Sequence, residues 1–148
     1  MVDYPYVTEQ ENLFGEPQLA DIREEWDWVK PGVEEIVRDD EFLSLIPEDV
    51  FAACKSGAAH LWVTEQGFVI TTGMTDTITG ERTFLVWLAW AREKRNNVAV
   101  QWFTFFEDQA RKAGFTKFEV RTRYPKLGSY LQNKLGFEMV TAQYVRQI

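Results

Sequence analysis

The sequence predicts an α/β fold in a single domain, with a sheet that is covered by helices on both faces. Its 148 residues suffice for one domain with a sizeable core, and 45% of them are hydrophobic. Helical and strand patterns follow each other in the order α, α, β, β, β, α, β, α, β. RTFLVWLAW, residues 82–90, is apolar at successive positions, as a central strand buried on both sides should be.

The first two elements begin after an extended, acidic N-terminal arm, predicted for residues 1–19. The arm contains two prolines and a glycine and shows little periodicity. The predicted domain covers residues 20–148. From Asp21 onward, apolar residues recur at helical spacing. Pro31 and Gly32 predict that this helix is split or kinked.

The next helix is predicted from Pro47 to Ser56, with clear signals at both ends. Proline is favoured in the first turn of a helix, and the acidic Glu48 and Asp49 that follow it complement the helix dipole. Gly57 is a typical C-terminal stop.

Three strands are predicted in the middle of the chain. AHLWVTE and GFVITTGM flank a Gln66-Gly67 turn, which predicts an antiparallel hairpin. The polar segment TDTITGE leads to the third strand, residues 82–90.

The last third of the chain returns to alternating helices and strands. A helix is predicted from Val98 to Ala113, where Gly114 ends it. FTKFEVRT then predicts a strand, YPKLGSYLQNKL a short helix behind Pro125, and FEMVTAQYVRQI a closing strand.

The charge distribution limits the classes of partner. The net charge is −7, but residues 1–49 carry −12 and the other 99 residues carry +5. This acidic balance argues against nucleic acid as a partner, while the basic part could attract a small polyanion. No apolar run approaches the roughly 18 residues of a membrane span. Because the N-terminus also lacks a signal-peptide pattern, we expect a cytoplasmic protein that is neither secreted nor membrane-bound.

A basic loop between the central strand and the next helix is the candidate binding site. Helix N-termini that follow a strand and a loop often hold phosphate groups, although this loop has no glycine. The alternative interpretation is a basic surface turn with an asparagine cap. The candidate binding residues are Arg92, Lys94, Arg95, Asn96, Asn97 and Val98.

The order of elements, with three local segments, resembles the GNAT superfamily of acyl-CoA-dependent N-acyltransferases. The segments are the strand, basic loop and helix of residues 82–113, then EDQARKAGFTKFEV, then YLQNKLGFEMV. The resemblance covers about residues 20–148 and implies a mixed twisted sheet and acetyl-CoA as the cofactor of an active member. The family's first strand is not obvious, and the arm is its candidate source.

The resemblance also implies two motifs that this sequence lacks. The family's phosphate loop has Arg or Gln, two residues, Gly, one residue, then Gly or Ala. Arg92 matches the first position, but Arg95 and Asn97 occupy the two small positions. The tyrosine that serves many members as general acid falls on Gln132, which cannot donate a proton and reset near neutral pH. Tyr130 lies nearby but on a different side of the helix.

Neither a general base nor a metal site can be assigned from the sequence, so the catalytic residues stay unknown. Four side chains are candidates for the base, and none stands out: Glu65, Asp76, Glu81 and His60. One His and one Cys are too few for the usual zinc site. A dyad of Cys54 and His60 lacks an activating context.

A looser resemblance connects EEW, PEDVFAA and TGERTFLVWLAW with GNAT-like proteins of tailed bacteriophages. It implies a location in the host cytoplasm or the virion, and a protein partner, such as a phage structural protein, bound through the arm. The first hypothesis is therefore a GNAT-fold interaction module with a degenerate acyl-CoA site and no cofactor. The alternative is a divergent N-acetyltransferase that uses acetyl-CoA to modify an amine.

Overall fold

A computed structural model describes residues 15–94 and 97–148 of the chain. These residues form two compact units, 15–120 and 121–148. The second unit contains one helix, α5 (Pro125–Lys134). The first contains all the other elements, in the order β1 (Gln18–Ala20), α1 (Ile22–Asp39), α2 (Pro47–Ser56), β2 (Ala59–Thr64), β3 (Gly67–Thr75), β4 (Arg82–Ala91), α3 (Val98–Gln101), α4 (Phe103–Lys112) and β5 (Lys117–Val120).

The strands form one mixed sheet in the order β1-β2-β3-β4-β5. Neighbours from β1 to β4 are antiparallel, and β4 and β5 are parallel because α3 and α4 connect them. Leu19 of β1 pairs with Trp62 of β2. The last residues of the predicted arm therefore supply the first strand, while residues 1–14 lie outside the described part of the chain.

Helices cover both faces of this sheet, which confirms the predicted α/β class. The α1 cluster lies on the face that α1 and α2 cover, and its buried members are Ile22, Val29, Val33, Val50, Ala59, Leu61, Phe68, Ile70 and Leu88. The α4 cluster lies on the face of α3 and α4, and its buried members are Trp62, Val69, Phe84, Val86, Val98, Ala99, Phe106 and Ala110. Burial of these two apolar sets is the main force that holds the layers together.

Helix α1 runs without a break through Pro31, so the predicted split of this helix is wrong. Pro31 is exposed, so the backbone carbonyl that its missing N–H leaves unpaired lies on the helix's solvent side. The start of α1 is capped by Asp21, whose carboxylate accepts from the backbone N–H of Arg23 at 2.9 Å.

The predicted helix over 47–56 is confirmed at both ends. Pro47 occupies its first turn, and Gly57 follows it in the left-handed conformation, with φ 84°.

The predicted helix from Val98 to Ala113 is two helices instead. Trp102 separates them because its backbone, at φ −113° and ψ 32°, lies outside the helical region.

The predicted closing strand over 137–148 is wrong, since residues 135–148 are described and contain no strand. The end of α5 is as predicted: Gly136 has φ 73°, and the Phe137 N–H donates to the Leu131 carbonyl at 3.0 Å. A strand forms only where a neighbour satisfies its backbone groups, and no strand among the described residues pairs with this segment.

Candidate functional site

The central strand β4 contains a β-bulge at Trp87. Thr71 of β3 pairs with Val86, and the preceding Ile70 pairs with Leu88, so Trp87 is an extra residue without a partner on β3. The bulge changes which face later residues occupy. Val86 belongs to the α4 cluster, whereas Leu88 belongs to the α1 cluster. A bulge also bends its strand and increases the local twist.

The bulge coincides with the point at which β4 and β5 stop pairing. Their last paired residues are Val86 and Val120, and β4 continues to Ala91 paired with β3 only. Beyond Val86, no other strand among the described residues pairs with this side of β4. Half of the central strand therefore presents an unpaired edge in the middle of the sheet.

The backbone N–H groups on that edge can be identified from the ladder. The Arg92 N–H donates to the Gln66 carbonyl at 2.8 Å, which directs it toward the β2–β3 turn. Because successive N–H groups of a strand point to opposite sides, those of Ala89 and Ala91 point away from β3. These donors could pair with the amide groups of an extended ligand.

Arg92, the first cation of the loop that follows β4, is exposed but makes contacts within the protein. The Arg92 Nε donates to the Glu65 carbonyl at 2.9 Å, and the guanidinium carbon lies 4.8 Å from the ring centre of Trp28 and 5.8 Å from that of Trp90. Arg92 thus connects the β2–β3 turn, through its hydrogen bond, with Trp28 of α1 and Trp90 of β4, through its cation–π contacts. Lys94 is exposed, while Arg95 and Asn96 lie outside the described residues.

The helix after this loop begins with an asparagine cap, the alternative that the sequence suggested. The Asn97 Oδ1 accepts from the Val100 N–H at 3.2 Å, so it satisfies one of the free N–H groups that a phosphate would bind. Val98 is fully buried in the α4 cluster. Helix α3 has only four residues, which gives it a small dipole. The described residues therefore lack the open, glycine-lined cradle that suits a pyrophosphate.

Two buried polar side chains at the end of α3 were not identified from the sequence. Neither amide atom of Gln101, which is 0% exposed, has a hydrogen-bond partner, and the Trp102 indole N–H is buried and unpaired as well. An unpaired buried polar group costs about 1–3 kcal/mol, so such groups usually bind water or a ligand. A glutamine among apolar residues in the sequence gives only a weak signal of this arrangement.

Glu35 is a third residue that sequence reasoning missed. Its carboxylate accepts from the indole Nε1 of Trp90 at 2.9 Å, across 55 residues of sequence. Trp90 also stacks on Phe68, with ring centres 5.7 Å apart. This half-buried carboxylate is the acidic group that the described contacts place beside the end of β4.

The carboxylates that the sequence suggested as bases lie elsewhere or are already engaged. Asp76 and Glu81 flank the β3–β4 connection, at the opposite end of β4 from the loop. Backbone hydrogen bonds from Thr79 and Ile78 lower the pKa of Asp76, and Glu81 forms an ion pair with Lys117 at 3.0 Å. The side chain of Asp76 is therefore a turn-forming group rather than a base.

Cys54 and His60 are not brought together. Cys54 packs against the α1 cluster, whereas His60 points to the other face of β2 because it alternates with Ala59 and Leu61, which belong to that cluster. His60 is exposed. Burial raises the pKa of the Cys54 thiol to about 11, so it is a neutral, weakly reactive thiol near pH 7.

The position implied for a general acid lies in the second unit, on α5. Gln132 is exposed there, and Tyr130 is half-buried. Within residues 15–94 and 97–148, no group of three or more His, Cys, Asp or Glu side chains is placed to hold a metal ion. No helix in the same ranges has both the length and the apolar character needed to cross a membrane.

Several solved structures with a similar fold are named as acetyltransferases. The ribosomal-protein-alanine N-acetyltransferase of Brucella melitensis biovar Abortus 2308 matches with TM-score 0.64 at 16% identity, over 90% of this chain and 98% of that one. An acetyltransferase of Trypanosoma brucei matches with TM-score 0.59 at 11% identity, over 90% and 99%. An integron cassette protein from the Cole Harbour salt marsh metagenome matches with TM-score 0.62 at 15% identity, over 90% of each chain.

Sequence comparison adds nothing to this likeness, since neither a family model nor a curated protein matches. At identities of 11% to 16%, the likeness concerns the fold and not the site. The chain therefore has the fold of the GNAT acetyltransferases.

Proposed function

We propose that this chain is a GNAT-fold protein with a degenerate acyl-CoA site, and that it acts as an interaction module. The observation that carries the proposal is the bond from the Val100 N–H to the Asn97 Oδ1, at 3.2 Å. It fills the helix N-terminus at the place where the fold would hold the cofactor's pyrophosphate. The contacts of Arg92 with Glu65, Trp28 and Trp90 support the same conclusion, because they give this cation a structural role.

Isothermal titration with acetyl-CoA tests the first half of the proposal. We expect no binding tighter than about 100 µM, which corresponds to about −5.5 kcal/mol. Tighter binding would show that the site is functional despite its missing glycines. In that case the positive charge of the loop must be what holds the phosphates, so Arg95→Ala should weaken binding.

A gain-of-function variant gives the same question a positive readout. Arg95→Gly with Asn97→Gly restores the small residues of the family pattern and removes the asparagine cap. Glycine costs a cap position only a few tenths of a kcal/mol, so the variant should remain folded. We expect acetyl-CoA binding to appear or to tighten at least about tenfold, about 1.4 kcal/mol. If the variant is folded but binds acetyl-CoA no better than the wild type, the missing glycines are not the reason why the site lacks affinity.

The second candidate function is a divergent N-acetyltransferase that acts on an amine. It is favoured by the unpaired edge of β4, whose N–H groups at Ala89 and Ala91 are available to an extended acyl carrier. The buried, unpaired amide of Gln101 also suits a polar ligand. The test is release of free CoA from acetyl-CoA in the presence of a panel of primary amines. Turnover that exceeds the no-protein rate and depends on the amine would favour this candidate over the module.

The finer form of the proposal is a virion-associated module of the tailed-bacteriophage type, bound to its partner through residues 1–19. It rests on the resemblance of the sequence segments and on the acidic charge of the arm. Mass spectrometry of purified phage particles that encode the chain should detect it at a fixed copy number. A version without residues 1–14 should fail to enter those particles; normal incorporation of this version would exclude the arm as the attachment.

A further inference from the structure

The C-terminal segment, residues 138–148, has the side-chain pattern of a strand but pairs with no strand among residues 15–94 and 97–148. Met139, Val140, Tyr144 and Val145 are 72%, 85%, 92% and 54% exposed. No hydrogen bond or ion pair joins residues 138–148 to another described residue. Exposed apolar side chains that are contiguous in this way usually mark a contact surface.

The segment does not have the composition of a hairpin that folds on itself. Tight hairpin turns need residues such as Gly, Asn or Asp, and none of these, nor a proline, occurs from Phe137 to Ile148. Four of its residues are β-branched, and one is a tyrosine, which favours a single continuous strand. A continuous strand requires its partner from elsewhere.

The charges of the segment select one register for pairing with an identical copy. Glu138 and Arg146 are its only charged side chains. In an antiparallel pair of two identical segments, they lie opposite each other only if the two-fold axis passes through Ala142. This register creates two symmetry-related ion pairs, one at each end of the ladder.

The remaining pairs follow from that register without any further choice. Val140 lies opposite Tyr144 on the same face as the ion pairs, which is a favourable pairing of a β-branched and an aromatic side chain. Met139 lies opposite Val145 on the other face. The exposed apolar side chains of residues 138–146, namely Met139, Val140, Tyr144 and Val145, are therefore all matched with apolar partners.

We propose that residues 138–146 of this segment form a self-complementary strand that pairs antiparallel with the same residues of a second copy of this chain, about a two-fold axis at Ala142. The interface is isologous, so it closes after two copies and does not extend into a fibre. A two-stranded ribbon is only marginally stable in water, so the dimer is weak and depends on concentration. The proposal does not rest on the state of the acyl-CoA site.

Sedimentation velocity tests the proposal with charge variants of the full chain. The wild type should shift from monomer to dimer between about 1 µM and about 500 µM, the range of weak complexes. Glu138→Arg and Arg146→Glu each place like charges opposite each other twice, which should raise the dimer dissociation constant about tenfold or more. An equimolar mixture of the two variants restores both ion pairs, so the mixture should dimerise as the wild type does.

A cysteine placed on the two-fold axis gives an independent readout. In a Cys54→Ser background, Ala142→Cys should form a disulfide-linked dimer under mild oxidation, because the two side chains face each other at the axis. Gln147→Cys in the same background is the matched control. It is exposed on the same segment but lies ten residues from its copy along the ladder, so it should remain uncrosslinked.

Three results would overturn the proposal. The first is a wild-type chain that stays monomeric over the whole concentration range, as expected if the segment folds back on its own chain. The second is a dimer whose dissociation constant is the same in the single charge variants and in their mixture. The third is equal crosslinking at positions 142 and 147.

Discussion

At the residue scale, Gly32 shows how closely α1 approaches the sheet. A Cβ atom at this position would lie 2.6 Å from the Phe68 ring and 2.9 Å from the Trp90 ring. Both rings belong to the stack on the α1 side of the sheet, and Phe68 is fully buried. In the sequence, the glycine after Pro31 resembles a helix breaker. In the structure it lies inside helix α1 instead. A glycine is required there because only a hydrogen atom fits between the helix and these rings.

We therefore expect Gly32→Ala to destabilise the protein. Alanine gains about 1 kcal/mol in helix propensity, but overpacking a buried site costs about 1–3 kcal/mol, and these rings cannot rotate away without losing their stacking. The expected net loss is about 1 kcal/mol in the free energy of unfolding, measured by urea denaturation.

Gly128→Ala is the matched control for this prediction. Gly128 also lies inside a helix, α5, but an added Cβ would meet no atom within 4 Å. It should therefore stabilise the protein by up to about 1 kcal/mol through helix propensity alone. Equal effects of the two substitutions would mean that the contact with Phe68 and Trp90 does not limit the packing of α1.

At the element scale, the bulge in β4 predicts an alternating pattern of amide hydrogen exchange. The N–H groups of Leu88 and Trp90 point to β3 and are bonded within the sheet, whereas those of Ala89 and Ala91 point to the unpaired edge. We expect exchange at Ala89 and Ala91 to be at least about tenfold faster than at Leu88 and Trp90, because it needs no opening of the sheet.

Exchange measured by NMR with and without acetyl-CoA would connect this edge to function. Slow exchange at all four residues in the free protein would contradict an open edge. If the interaction-module proposal is correct, adding acetyl-CoA at about 10 µM leaves Ala89 and Ala91 unprotected, because a dissociation constant weaker than about 100 µM keeps about nine tenths of the sites empty at that concentration. Selective protection of these two amides would instead favour the acetyltransferase candidate.

The elements could be predicted from the sequence where the signal is local. Helix α2 is marked by Pro47 at its start and Gly57 after its end, and both residues act in the structure as expected. The bulge could not be predicted, because RTFLVWLAW is apolar at almost every position. A strand without alternating polar and apolar residues has no sequence pattern that an extra residue would interrupt. The asparagine cap of α3 was predicted from residue type alone, as one of two alternatives, Asn96 or Asn97.

The candidate site was predicted by its position in the chain rather than by its contacts. The basic loop does follow the central strand, but the role of Arg92 depends on Trp28 and Glu65, which are 64 and 27 residues away in sequence. The same limit applies to Glu35, whose partner Trp90 is 55 residues away. Long-range partners depend on the packing of α1 against the sheet, and a pattern in one segment carries no information about them.

At the scale of the whole molecule, both hydrophobic clusters lie within one unit. Every buried or packed member of the α1 and α4 clusters falls between Ala20 and Val120. The described unit of residues 121–148 buries only two large apolar side chains, Leu127 and Leu131. By the area that each part removes from water, the first part of the chain should carry nearly all the stability of the fold.

We therefore expect a chain that ends at Val120 to fold, while a peptide of residues 121–148 does not. The shorter chain should keep a cooperative urea transition and near-ultraviolet circular dichroism, because its sheet and its two clusters remain whole. The peptide is below the roughly 40 residues that a chain usually needs to fold without disulfides, metals or oligomerisation. The shorter chain should also be monomeric at every concentration, since it lacks the self-complementary strand. A truncated chain that binds ANS and loses its cooperative transition would mean that the C-terminal unit completes the core.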